Sequence, residues 1–296
     1  MRILSLLPSA TEIVYLLNLE DSLVGVTHEC DYPPAARSKP RVSASRIPPE
    51  ATPAEIDQLV SESATGGPPT ISLDAALIGR LQPDIVLTQD LCSVCAVPAG
   101  HLQSALDSLA IEAEVLSLSP SSLDDVLDDI LRLGRLAGVE ERAAAATGRL
   151  RERLAAVAGA VAGRERTSVL ALEWGDPPYN AGHWVPQMIE LAGGEPLLCA
   201  KGFPSSRLSW EEIAAAEPQA VVFMPCGFEL DEARVQARPL LCRPELERVP
   251  QFYAAAANSF YSRPGPRLVA GVEALAAVLH DGTGLVAAPG VLERLR

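Results

Sequence analysis

The sequence predicts an α/β protein of two lobes, each built on a parallel sheet, joined by a single long connector helix. Two observations carry that prediction. Short, wholly apolar runs alternate with helical stretches along most of the chain, and one stretch, residues 121–164, breaks the alternation with helix alone. A length of 296 residues is enough for two domains with a substantial core each.

The strand-like runs are residues 3–7, 23–27, 84–89 and 114–118, then 168–173, 220–224 and 253–258. They are apolar throughout, as strands covered on both faces must be. Helical patterns at 11–19, 73–81, 185–191 and 210–216 fall between them, which is the rhythm of Rossmann-like βαβ units. Ser121-Ser122-Leu123-Asp124-Asp125 opens the all-helical stretch with capping hydroxyls and acids at the positive end of the helix dipole. Gly138 interrupts it, and residues 139–161 then run for about 33 Å at 1.5 Å per residue. The expected division is an N-terminal lobe at 1–120, a helical connector at 121–163 and a C-terminal lobe at 164–296.

A formal net charge of -14 argues against phosphate backbones and anionic membrane surfaces as partners. No run approaches the roughly 20 apolar residues of a membrane helix, and the start, Met1-Arg2-Ile3-Leu4-Ser5-Leu6-Leu7-Pro8, reads as a strand broken by Pro8. On that reading the chain is expected in the cytoplasm, with a periplasmic or extracellular location the alternative for a trimmed mature chain. Six cysteines in so long a chain are read as reduced thiols. A monomer is expected.

The loops after the strands carry the chemistry. Ser9 and Thr11 come after the first run, and His28, Glu29, Cys30 and Tyr32 after the second. The run 84–89 leads to Cys92 and Cys95. In the C-terminal half the strand-end loops bring Trp174, Tyr179, His183 and Trp184, then Phe228, then Tyr261. Ligands of open α/β sheets bind outside the carboxyl ends of the strands, so these side chains are expected around one cleft between the lobes. The chain has only three Trp, five Tyr and five Phe, and most fall in such loops, which suits a large, flat, partly apolar ligand. Trp174 and Trp184 could instead cap the core. Cys92-x-x-Cys95 with His28 and Cys30 could form a metal or redox site, or line the pocket as small thiols. His28 and His183 could approach a cobalt or iron ion axially or give a hydrogen bond to a ligand's periphery. His101 and His280 read as structural. GxSxG, HExxH, Walker A and GxGxxG patterns are all absent, and no carboxylates pair as acid and base, so no catalytic residue, intrinsic cofactor or protein-bound metal is expected.

Pro8-Ser9-Ala10-Thr11-Glu12, Thr27-His28-Glu29-Cys30-Asp31-Tyr32-Pro33, the 131–138 turn and Glu190-Leu191-Ala192-Gly193-Gly194 resemble the helical-backbone (class III) substrate-binding proteins of ABC importers. Within that group the chain looks like the cobalamin-binding proteins, relatives of which carry haem or siderophores. The resemblance implies a non-catalytic corrinoid-binding protein with a largely preformed pocket. It also implies docking to a permease through one exposed glutamate per lobe. Glu211 matches that position in the C-terminal lobe, whereas the corresponding N-terminal position falls at about Ala76, which has no acid and puts the docking in question.

Overall fold

The computed structural model describes residues 1–48, 51, 53–64, 67, 68, 70–89, 102 and 106–296. The chain divides into two compact units, residues 1–119 with 129–146 and residues 120–128 with 147–296.

In unit 1, β1 (Ile3–Ser5) leads directly into α1 (Pro8–Leu16). The expected strand ends early because Pro8 takes the first helical turn, where its missing N–H costs nothing. β2 (Leu23–Gly25) follows, then β3 (Ser43–Ser45), α2 (Pro53–Ala64), β4 (Ile71–Leu73), α3 (Ala75–Leu81), β5 (Ile85–Thr88) and β6 (Glu114–Ser117). The sheet runs β2-β1-β5-β6 and every pairing in it is parallel, so the carboxyl ends of its strands share one edge. Leu4, Leu6, Val42, Ile78, Val86, Leu102 and Leu106 pack together as its core. β3 and β4 pair antiparallel apart from this sheet.

The expected connector is two helices, α4 (Leu123–Leu136) and α5 (Glu140–Val161). Ser122 and Asp125 cap α4 reciprocally: Asp125 Oδ2 accepts from the Ser122 backbone N–H at 2.9 Å, and Ser122 Oγ accepts from the Asp125 N–H at 3.2 Å. α4 stops at Gly138, whose φ of 65° lets Gly138 N–H reach Arg135 O and Val139 N–H reach Gly134 O. The helices are not a segment apart from the lobes. Arg142 donates to the carbonyls of Leu17 and Asn18 in unit 1, while Arg153 makes a two-point ion pair with Glu273 at 2.8 and 2.7 Å in unit 2.

Unit 2 continues with β7 (Thr167–Gly175), β8 (Pro178–Asn180), α6 (Val185–Leu191), β9 (Gly194–Pro196), α7 (Trp210–Ala215), β10 (Ala220–Phe223), α8 (Leu230–Leu241), β11 (Gln251–Ala255), α9 (Ala257–Phe260), α10 (Leu268–Leu279) and β12 (Leu292–Arg294). Its sheet is mixed. β7, β10 and β11 run parallel at the centre and β9 joins β7 in parallel, whereas β8 and β12 pair antiparallel at the edges. α10 is buried nearly all round, and Gly271 within it lets the helix approach closely: a Cβ there would lie 2.5 Å from Phe260 O. β11 lies earlier than the expected 253–258, so Asn258 and Ser259 belong to α9. Among the described residues no helix is long and apolar enough to cross a membrane.

Candidate functional site

The carboxyl edge of the unit 1 sheet carries two kinds of side chain. Ser9, Thr11 and Cys30 are buried. Thr11 Oγ1 donates to Ser5 Oγ at 2.9 Å and lies 3.1 Å from Cys30 Sγ, and Thr27 Oγ1 lies 3.2 Å from the same sulfur. This chain of hydroxyls and a thiol pins the loop after β2 onto the start of α1. These contacts engage the polar atoms of Thr11 and Cys30 inside the unit. The outer layer is His28, Glu29 and Tyr32. His28 Nδ1 lies 2.7 Å from Ser43 Oγ and its Nε2 lies 3.4 Å from Glu29 Oε1. Burial lowers the His28 pKa, Glu29 opposes that shift and Arg41 adds to it, so the ring is neutral in neutral solution. Tyr32 is 45% exposed. Cys92, Cys95 and His101 lie outside the described residues. Among the described residues no cluster of three or more His, Cys, Asp or Glu could hold a metal ion.

In unit 2, the register of β7 against β8 puts Trp174 opposite Tyr179 at the sheet end, and the Trp174 ring lies 6.0 Å from the ring of Phe228 in the loop after β10. Trp174 Nε1–H is buried and has no hydrogen-bond partner among the described residues. The Phe228 loop is held from below. Glu229 Oε1 accepts from Asn258 Nδ2 at 3.1 Å and from Ser259 Oγ at 2.6 Å, and Phe228 O accepts from the Asn258 N–H. Glu229 also caps α8 reciprocally with Glu232. The next loop is equally fixed. His183 adopts a φ of 54°, its N–H donates to Phe203 O and its carbonyl accepts from Gly202 N–H, while burial lowers its imidazole pKa.

Trp184 and Tyr261 have partners inside unit 2. Trp184 is buried and its Nε1–H donates to the Tyr261 carbonyl at 2.7 Å. Tyr261 is fully buried, its hydroxyl donates to Gly271 O at 3.1 Å, and burial pushes its pKa up. Both rings belong to the packing of unit 2. Ser43 and Glu229 escaped the sequence reading. Glu229-x-x-Glu232 ahead of an amphipathic run was a usable signal, whereas nothing marked Ser43 on its short polar strand.

Glu211 is exposed at the second position of α7, after the capping Ser209. Ala76 is exposed at the second position of α3, after the capping Asp74. A depression of about 390 Å³ lies beside the amino ends of β7 and β9, opposite to their carboxyl ends, lined by Ala158, Arg164, Arg166, Gln187, Glu190 and Lys201 among others. Its two arginines are committed to backbone carbonyls, Arg164 to those of Ala160, Asp281 and Gly282, and Arg166 to those of Gly194 and Glu190.

Two α/β units that gather donors and aromatic rings at the carboxyl ends of their strands have the make-up of a small-molecule binding protein. The family described as "Periplasmic binding protein" matches residues 3–250, and the chain belongs to it. Its members are solute-binding proteins that work with ABC permeases. The chain is 23% identical over 278 residues to the vitamin B12-binding protein of Yersinia pestis, which covers 93% of this chain and 84% of that one. Among solved structures it is similar to a periplasmic haem-binding protein from Pseudomonas aeruginosa (TM-score 0.71, 24% identity, 99% of this chain and 97% of that one). It is similar also to the periplasmic vitamin B12-binding protein of Vibrio cholerae (TM-score 0.68, 23% identity, 94% and 96%).

Proposed function

We propose that this protein binds a corrinoid such as cobalamin, without transforming it, through the strand-end loops of both units, and carries it to a permease. The observation that carries the reading is the buried Trp174 N–H with no partner among the described residues, beside the Phe228 ring. A buried donor without an acceptor costs about 1–3 kcal/mol, and a turn of the ring that brings this N–H to a ligand's carbonyl oxygen recovers that cost. The neighbouring rings of Phe228 and Tyr179 supply apolar surface for a macrocycle. A corrin periphery rich in neutral amides also fits a chain of net charge -14, with Glu29, Asp31, Glu173 and Asp176 at its strand ends, better than a dianionic chelate does. The Yersinia relative named for vitamin B12 supports the same choice. Haem is the second reading, supported by the Pseudomonas structure described as haem-binding.

Membership of a periplasmic family favours the periplasmic alternative over the cytoplasm. Glu211 is the proposed docking acid of unit 2, and Ala76 leaves unit 1 without its counterpart. Calorimetric titration with cobalamin, cobinamide, haemin and a ferric siderophore tests the proposal. A corrinoid dissociation constant at or below about 1 μM, on the order of -8 kcal/mol, is expected. Haemin binding with no heat from either corrinoid would give the site to haem.

A further inference from the structure

We propose that Ser43 locks His28 as its Nε2–H tautomer, so that His28 meets the ligand as a hydrogen-bond donor and not as a ligand of its metal; the second half rests on the function proposed above. The backbone N–H of His28 donates to Ser43 Oγ at 3.1 Å, and His28 Nδ1 lies 2.7 Å from the same oxygen. Ser43 is only 9% exposed, so its hydroxyl proton needs an acceptor inside the protein. A hydroxyl that accepts one N–H still has one proton to give, and Nδ1 is the acceptor in reach among the described residues. Nδ1 therefore presents its lone pair to Ser43, and a neutral imidazole with a bare Nδ1 carries its proton on Nε2. Glu29 Oε1, 3.4 Å from Nε2, suits a protonated nitrogen there, since two facing lone pairs would repel. The lowered pKa of His28 keeps the ring in the neutral form for which this matters.

The outer nitrogen then has no lone pair for cobalt or iron. Ligation would require the proton to move to Nδ1, leaving Ser43 Oγ facing two N–H groups and turning its own buried proton away from an acceptor. An Nε2–H suits the oxygen of an amide or carboxylate on the ligand's edge.

Long-range ¹⁵N–¹H NMR of the imidazole in ligand-free protein at pH 8 reads the tautomer directly. A pyrrole-like Nε2 and a pyridine-like Nδ1 are expected, with the preference lost in Ser43→Ala; the reverse pattern in the wild type would overturn the lock. Binding of cobinamide and haemin reads the role. His28→Ala should weaken binding by about tenfold, the worth of a well-made hydrogen bond, and His28→Gln, which keeps an N–H in reach, should recover most of it. The visible bands of the bound chelate should be the same in wild type and His28→Gln. Bands displaced only in the wild type would mean imidazole ligation and overturn the proposal. An Nε2–H signature with neither chelate bound would support the lock and sink the functional reading alone.

Discussion

The two tryptophans of unit 2 should respond oppositely to the same substitution. Trp184 spends its N–H on the Tyr261 carbonyl, 2.7 Å away and buried, whereas the Trp174 N–H is buried with no partner among the described residues. Trp184→Phe removes the donor and leaves that carbonyl unpaired, a loss of about 1–3 kcal/mol, so the melting temperature should fall on the order of 5 °C. Trp184→Ala adds a cavity and should cost about 3–5 kcal/mol. Trp174→Phe keeps an aromatic ring beside Phe228 and deletes a buried N–H that no described group uses, so relief of that cost should offset the packing lost and stability should match or exceed that of wild type. Its ligand affinity should instead drop by about five- to tenfold, because the bond lost is one made to the ligand. Thermal and urea unfolding of each variant, paired with a cobinamide titration, separates the cases. A stable Trp184→Phe that fails to bind, or a Trp174→Phe that unfolds while binding normally, would refute the assignment of roles.

Three further outcomes are expected. Glu229→Ala removes the acceptor shared by Asn258 and Ser259, so urea unfolding should show a loss of about 1–2 kcal/mol and the titration a weaker ligand, with Glu229→Gln milder in both. Gly182→Ala would set a Cβ 2.6 Å from Phe203 O, a backbone atom that cannot swing aside, and should cost about 1–3 kcal/mol and displace the His183 turn, visible as lost amide protection at 203–206. Asp125 is the pH-dependent case. Burial pulls its pKa up, but hydrogen bonds from Ser121 and Ser122 outweigh that and leave it below the ordinary value of 3.8. A carboxylate depressed on folding contributes fully above its unfolded pKa and ceases to as pH falls through the folded one. Asp125→Asn should therefore be about 1 kcal/mol less stable than wild type at pH 7, with the gap closing once the pH drops below 3.8.

Much of the frame was legible because burial on both faces leaves uninterrupted apolar runs: β1, β5, β7 and β10 all fall within or over their expected segments. The edge elements were not. β8 and β9 are three-residue strands containing proline, and β3 reads Ser-Ala-Ser, so neither alternation nor apolarity marks them. Loop position after a strand picked out His28, Trp174 and Phe228 together with Thr11, Cys30, Trp184 and Tyr261, and the last four have partners inside their units. Sequence cannot tell a strand-end side chain that turns outward from one whose polar atom finds a partner inside the unit. That choice is made by residues far along the chain, such as Ser43 for His28 and Tyr261 for Trp184.

Amide hydrogen exchange with and without cobinamide tests most directly the claim that strand-end loops of both units hold the ligand. Protection by the ligand is predicted at residues 27–32 in unit 1 and at 174–184, 225–229 and 257–262 in unit 2. Protection confined to residues 158–166 and 187–201 around the Arg164 depression, or no change anywhere at saturating cobinamide, would contradict it.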